Sequence, residues 1–356
     1  MSIKISIIIP IYNGEKYIKN TITELLSQTC PFHELIIVDD GSTDNSFKIC
    51  KHYAEKNKNI KLIHTENRGS GPARMIGVLN STGDYLYFPD ADDDLAYNLI
   101  ETVQFYLEKN PADLLVFGYA TIYPDGEKEE KRYTSYSIEG SSVRKDYSRF
   151  CSMESEYGIQ GAPWNKVFKR SIITDNNVVF PALRRHQDEA FISSYVNFIE
   201  TISFIPDVLY TYYANDPNLE WRKFPADYED SVIGLIKNRK ETVLQWNCED
   251  KETHMIIGQQ LFCKSVKACE NLFSPKQSNT TKDHICKKIE EFLNVLYFSE
   301  CPDGVKCRLG IYHRFVFKLS KERKVKSLFY ILKLKYLIDN NYHIRKILRR
   351  YMRSKV

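Results

Sequence analysis

The chain has 356 residues, 43% hydrophobic and 27% charged, with a formal net charge of +4. That length holds one large domain plus a smaller appendage, and the composition excludes wholesale disorder. Its nine cysteines are scattered without a repeated C-x-x-C spacing, which excludes a disulfide scaffold, and without a long apolar run or a secretory leader the expected location is the cytoplasm.

Residues 4–10 are a continuous β-branched run ended by proline, predicted as a buried strand, and 34–39 repeat the pattern. Between them Asn13 or Gly14 opens a predicted helix with Tyr17, Ile18, Ile22, Leu25 and Leu26 at helical spacing, completing a βαβ unit. A second helix follows the turn Gly41-Ser42-Thr43-Asp44, then come a strand at 60–64, a helix at 72–79 and a short strand at 85–88. This alternation predicts an α/β, Rossmann-like, mostly parallel sheet covered by helices, with ligands at the carboxyl ends of its strands. Loops 39–44, 66–74 and 89–94 occupy those ends.

A strand at 114–119 leads into a polar stretch, 125–149, of loops or antiparallel excursions. From 227 to about 298 the pattern turns helical, with Val232, Leu235 and Ile236, then Ile256, Ile257, Leu261 and Phe262, at suitable spacing. The expected organisation is a catalytic domain over 1–215, a helical appendage over 216–304 and a basic amphipathic tail over 305–356. That tail holds sixteen Lys or Arg against Glu322 and Asp339, a net +14, while the rest of the chain carries about −10.

Chemistry concentrates in the three loops. In Pro89-Asp90-Ala91-Asp92-Asp93-Asp94, carboxylates cluster directly after a strand, the hard oxygen ligands that hold Mg²⁺ or Mn²⁺ and, through it, a diphosphate. A solvated acidic turn is the ordinary alternative. A calcium loop fails because Leu95 stands where the sharp turn needs glycine. Asp39 and Asp40 could accept from a base imide or ribose hydroxyl, whereas helix capping accounts only for Ser42, Thr43 and Asp44. Gly69-Ser70-Gly71 allows close backbone approach, but Arg74 replaces the third glycine of a dinucleotide fingerprint, and no P-loop lysine motif is present.

Taken in order, Pro10-x-Tyr12-Asn13, Val38-Asp39-Asp40-Gly41-Ser42-Thr43-Asp44, Asn67 to Arg74 and Asp90-Ala91-Asp92-Asp93 resemble the signatures of family-2 glycosyltransferases, inverting enzymes with the A-type fold. The resemblance covers roughly the first 215 residues and is nearest to bacterial capsule, lipo-oligosaccharide and wall-teichoic-acid transferases. It implies that Pro10 and Tyr12 border a uracil, that Asp40 with Asp39 binds base or ribose, and that Asn67 and Arg74 complete the nucleotide pocket. It implies further that Asp90, Ala91 and Asp92 form the donor-binding turn, Asp92 and Asp90 holding the metal with Asp93 behind them.

Downstream, Gln187-Asp188-Glu189-Ala190-Phe191 resembles the family's segment bearing the catalytic base, which implies Asp188, although Gln187 replaces the usual glutamate and leaves Glu189 as the other candidate. The stretch Ala162 to Phe168 resembles an acceptor-side segment in which Trp164 either stacks on a sugar or packs in the core. Tyr210-Thr211-Tyr212-Tyr213 resembles the closing strand, and 214–221 lacks the histidine that often follows it.

The implied activity is transfer of a hexose or N-acetylhexosamine from a UDP-sugar, with Mn²⁺ or Mg²⁺, to a glycan or lipid-linked acceptor. Alternatives are a nucleotide-sugar-binding or scaffold subunit without turnover, and a nucleotidyltransferase, for which residues 12–16 are a poor phosphate loop. In the tail, Phe315, Phe317, Leu328, Phe329, Leu332, Leu334 and Leu337 interleave with cations. They predict peripheral attachment to an anionic membrane on its inner face, in preference to nucleic acid or to packing on the catalytic domain.

Overall fold

The computed structural model describes residues 2–150, 157–159, 161–214, 228–248, 250–274, 281–295 and 309–340. Its first half runs β1 (Ile5–Ile11), α1 (Ile18–Leu26), β2 (Glu34–Asp39), α2 (Ser46–Lys56), β3 (Ile60–His64), α3 (Ser70–Leu79), β4 (Tyr85–Tyr87), β5 (Asp94–Leu95) and α4 (Leu99–Lys109). There follow β6 (Leu114–Ile122), β7 (Lys128–Lys131), β8 (Tyr136–Glu139), α5 (Gly140–Lys145), α6 (Tyr147–Phe150), β9 (Lys166–Lys169), α7 (Arg170–Asp175), α8 (Gln187–Val196) and β10 (Thr201–Tyr213).

All ten strands form one sheet in the order β3-β2-β1-β4-β9-β6-β10-β5, with β7 beside β6 and β8 beside β10. The Rossmann-like half, β3-β2-β1-β4, is parallel as the pattern predicts, and β6 is parallel to β10. Strand β9 lies antiparallel to both β4 and β6. The segments 128–131 and 136–139 become antiparallel additions at its edges, within the stretch read as loops or excursions.

Ile7, Ile8, Ile9, Leu35, Ile36, Ile37 and Val38 are fully buried, as expected of central parallel strands covered on both faces. Each such side chain contributes about 1.5–3 kcal/mol on burial. Helix α3 lies close on β1, because a Cβ at Gly77 would come 2.3 Å from Ile8 Cγ2. Helix α1 begins later than the sequence predicts. Asn13 adopts φ 50° and its Oδ1 accepts the Thr43 N–H at 2.7 Å, so residues 12–17 are held as a loop against the end of β2.

The chain divides into two compact units, Met1–Lys223 with Thr242–Cys248 and Phe224–Glu241 with Glu249–Val356. The second is helical in its described residues, with α9 (Tyr228–Trp246) up to Glu241, α10 (Lys251–Asn271), α11 (Lys282–Val295), α12 (Ile311–Lys321) and α13 (Val325–Asn340). In the segment read as a tail, α12 and α13 bury Val316, Phe317, Leu328, Phe329 and Leu332, and both helices contact α10. Much of the apolar stripe is therefore used inside this unit. Ile311, Phe315, Tyr330, Leu334 and Leu337 remain exposed, and no described helix is long and apolar enough to cross a membrane. Residues 305–308 and 341–356, with their cations, lie outside the described residues.

Candidate active site

The tips of β1, β2 and β3 are laced together. Asn13 N–H donates to Ser42 Oγ at 3.0 Å and Gly14 N–H to Ser46 Oγ at 2.8 Å. Asp44 accepts from the N–H groups of Glu15 and Ser46, so it joins two loops besides opening α2. Gly41 sits at φ 76°, where a Cβ would also come 2.9 Å from Asn67 N. Glycine is needed there on both counts.

Both acids at the end of β2 are buried. Asp40 accepts from Arg68 N–H at 2.9 Å and Gly69 N–H at 2.8 Å, which shapes the third loop. Asp39 Oδ2 meets His64 Nδ1 at 2.6 Å, while its buried Oδ1 accepts no hydrogen bond among the described residues. Of the pair, Asp39 keeps the open acceptor. Asn67 Oδ1 accepts from Arg184 Nη1 at 3.2 Å, and Tyr12, two residues after Pro10, is 51% exposed.

Arg74 projects from α3 and is only 3% exposed. Its Nη1 donates to Asp188 Oδ1 at 2.9 Å and its Nη2 to Asp90 Oδ1 at 2.7 Å, with the Phe180 ring 5.4 Å from its guanidinium carbon. Burial opposes the charge, but Asp188 and Asp90 together hold the guanidinium firmly protonated. Arg74 thus joins the turn after β4 to the start of α8, a placement beyond the nucleotide pocket implied for it.

Asp188 lies in the first turn of α8, entered through His186 at φ 63°. Burial, opposed by Arg74 and reinforced by Asp90 and Glu189, pushes its carboxyl up to about 6, while Lys166 lowers it. Its side chain keeps 29% of its surface open, enough for a proton donor to reach it. Glu189 instead meets His186 Nδ1 at 3.0 Å, so of the two candidates Asp188 faces the carboxylate cluster. Gln187 donates to Ser70 Oγ, joining the starts of α3 and α8.

On the β4 side, Tyr210 O–H donates to Asp93 Oδ2 at 2.6 Å and accepts from Asp90 N–H at 3.2 Å. Tyr213 N–H donates to Asp93 Oδ1 at 3.0 Å. Asp93 is therefore a buried anchor that braces the turn, and burial pushes its carboxyl up to about 8. Ala91 is buried and its carbonyl accepts from Thr21 Oγ1 at 2.7 Å. Asp90 and Asp92 are half-buried, and Asp90 Oδ2 makes no hydrogen bond among the described residues.

No group of three or more metal-ligating side chains gathers among the described residues. The donor set fits a hard cation gripped by one or two carboxylates and completed by phosphate oxygens, the usual arrangement for Mg²⁺ with a nucleotide. Trp164 does not offer its face to a ligand. It stacks on Tyr210 with ring centroids 4.5 Å apart and on Tyr212 at 5.7 Å. The segment 215–221 lies outside the described residues.

Sequence reading missed Tyr210 and Lys166 as site residues, although both lie in segments it singled out. Lys166 is 2% exposed and donates to Ala162 O at 2.9 Å and Asn165 Oδ1 at 2.6 Å.

Residues 6–172 match the model of the family described as Glycosyl transferase family 2. Glycosyltransferase GlyG of Streptococcus pneumoniae serotype 4 is 27% identical over 247 residues, 67% of this chain and 80% of that protein. Among solved structures, residues 1–349 of TarS from S. aureus in complex with UDP-GlcNAc superpose with a TM-score of 0.63 at 19% identity, covering 95% of this chain and 93% of that one. A mannosyltransferase from Pyrobaculum calidifontis, in complex with GDP-Man and Mn²⁺, gives a TM-score of 0.51 at 14% identity over 96% and 89% of the two chains. The A-type glycosyltransferase fold read from the motifs is thereby borne out.

Proposed function

Because the chain is a family-2 glycosyltransferase, we propose that it transfers a hexose or N-acetylhexosamine from a UDP-sugar, with inversion, to an acceptor hydroxyl of a cell-surface glycan or its lipid-linked precursor. The observation that carries this reading is the single Arg74 guanidinium bonded to both Asp90 and Asp188. Those bonds support reading Asp188 as a base close to a donor-side carboxylate. The likeness in fold to a transferase holding UDP-GlcNAc supports UDP as the nucleotide.

In this reading Pro10 and Tyr12 border the uracil and Asp39 Oδ1 accepts from the base imide or ribose. Asp40 acts through the loop whose N–H groups it grips, with Asn67 closing the pocket. Asp90 and Asp92, on the turn centred at Ala91, would hold Mn²⁺ or Mg²⁺, which when bound neutralises charge on the departing diphosphate. Asp188 takes the proton of the acceptor hydroxyl as that oxygen bonds to the anomeric carbon. The bond from carbon to the diphosphate oxygen breaks, UDP departs, and attack from the opposite side inverts the centre. Fold likeness to a Mn²⁺ complex supports the metal.

We place the enzyme peripherally on the inner face of an anionic membrane. Exposed Leu334 and Leu337 beside Lys326 and Lys333 on α13 support that placement. Incubation of the chain with a panel of UDP-sugars and Mn²⁺ tests the activity. Release of UDP from at least one sugar, abolished by EDTA, is expected; turnover of none, or turnover indifferent to EDTA, overturns the donor or the metal assignment respectively.

A further inference from the structure

One buried charge, Lys166, has no part in the chemistry assigned so far. Lys166 opens β9 with its ammonium held by Ala162 O and Asn165 Oδ1. Asn165 is itself fixed, its Nδ2 donating to Phe117 O at 3.1 Å. Among the described residues no carboxylate lies within ion-pair distance of Lys166. Burying an ammonium without a counter-ion is costly, and such charges persist where they act on something.

Strand pleating shows on what. Lys166 and Phe168 share one face of β9, and Phe168 packs on Phe191 of α8 with ring centroids 5.4 Å apart. Asp188 stands one helical turn before Phe191 on the same helix. Lys166 and Asp188 are thereby brought to the same end of the strand and helix contact, and each feels the other's charge.

We propose that Lys166 is a positioning residue for the reaction, its buried ammonium forming with Arg74 a two-cation cradle that keeps the Asp188 carboxylate charged and ready to accept a proton. The inference rests on the reading of Asp188 as the base. The charged groups facing Asp188 are Arg74 from α3, Asp90 from the β4 turn, Glu189 from its own helix and Lys166 from β9. Burial pushes the Lys166 ammonium down to about 7, and the charge of Asp188 opposes that shift. The two cations are not redundant. Arg74 is shared with Asp90, whereas among the described residues Asp188 is the charged side chain that acts on Lys166.

The test is a ¹³C-carboxyl NMR titration of Asp188 in the full-length chain without ligand, the signal being identified by its loss in Asp188→Asn. Lys166→Met is expected to raise the Asp188 midpoint by roughly half a unit to one unit. The acid limb of the pH–rate profile with a hydrolysed UDP-sugar should move by the same amount, and the affinity for UDP should stay within about twofold. Should Lys166→Met not fold, Asn165→Asp keeps the lysine but gives it a carboxylate neighbour, and the midpoint is again expected to rise. A midpoint unchanged in the folded variant overturns the proposal, as does a fall in rate without a shift of the limb. Sugar transfer surviving Asp188→Asn would instead overturn the base reading, and the titration would still report whether the charges are coupled.

Discussion

Arg74 Nη1 stands 2.9 Å from Asp188 Oδ1, while the other arm of the same guanidinium reaches Asp90 at 2.7 Å. Two carboxylates remote in sequence are thus held at a fixed spacing by a third residue that is itself buried.

Replacing Arg74 by methionine leaves Asp90 and Asp188 facing one another without the guanidinium that bridges them. Transfer is expected to fall by about 100-fold or more. Stability is expected to fall by about 2 kcal/mol, below the ~3–5 of a fully buried pair because both carboxylates keep part of their surface open. Arg74→Lys keeps the charge but not the fork, and should recover stability better than activity. Urea unfolding and kcat/KM for the three proteins check this; a Met variant with normal kcat/KM would remove Arg74 from the machinery.

The pH dependence of transfer follows from the raised Asp188 carboxyl. A base must be deprotonated to work, so kcat/KM should rise tenfold per pH unit below about 6 and level off above it. A rate constant flat from about pH 4.5 to 8 would show that no group of this kind limits the reaction.

Glu34 makes a separate prediction about the sheet. Its carboxylate accepts from Ser6 Oγ at 2.8 Å, Thr82 N–H at 2.6 Å and Lys61 Nζ at 2.5 Å. Burial works against its charge, but Lys61, Thr82 and Ser6 prevail and bring it down to about 2. A depressed carboxylate adds stability that is present above its unfolded value of 4.5 and lost as pH falls toward 2. Glu34→Gln should cost about 1–3 kcal/mol at pH 7 and flatten the acid side of the stability curve. Chemical denaturation at pH 7 and pH 3 measures both.

Exposed Leu334 and Leu337, flanked by lysines, should bind vesicles containing phosphatidylglycerol at low salt and release them as salt rises. The double change Leu334→Glu and Leu337→Glu is expected to weaken pelleting at least tenfold with turnover of a soluble acceptor unchanged. Equal pelleting of the wild type with neutral vesicles would contradict the electrostatic part, and no pelleting with either would end the membrane placement.

The sheet's first half was legible because buried parallel strands are written as unbroken β-branched runs. The observed bounds of β2 and β3 coincide with the expected 34–39 and 60–64. The carboxylate loops were legible from their position after those strands. Helix starts were less so, since Asn13 leaves the helical region for a bond to Thr43, a residue 30 positions away. The pairing of Arg74 with Asp188 spans 114 positions, and nothing local to either residue announces it. Lys166 and Trp164 illustrate the same limit: whether a polar or aromatic side chain faces ligand or core is decided by strands that arrive later, here β10, whose Tyr210 covers Trp164.

The most direct test is the Asp188→Asn variant, with UDP affinity in the presence of Mn²⁺ and sugar transfer measured on the same preparation. UDP should bind within about twofold of the wild type while transfer drops by about 100-fold to 10,000-fold. Transfer at the wild-type rate would contradict the assignment of the base and, with it, the function proposed for the cleft.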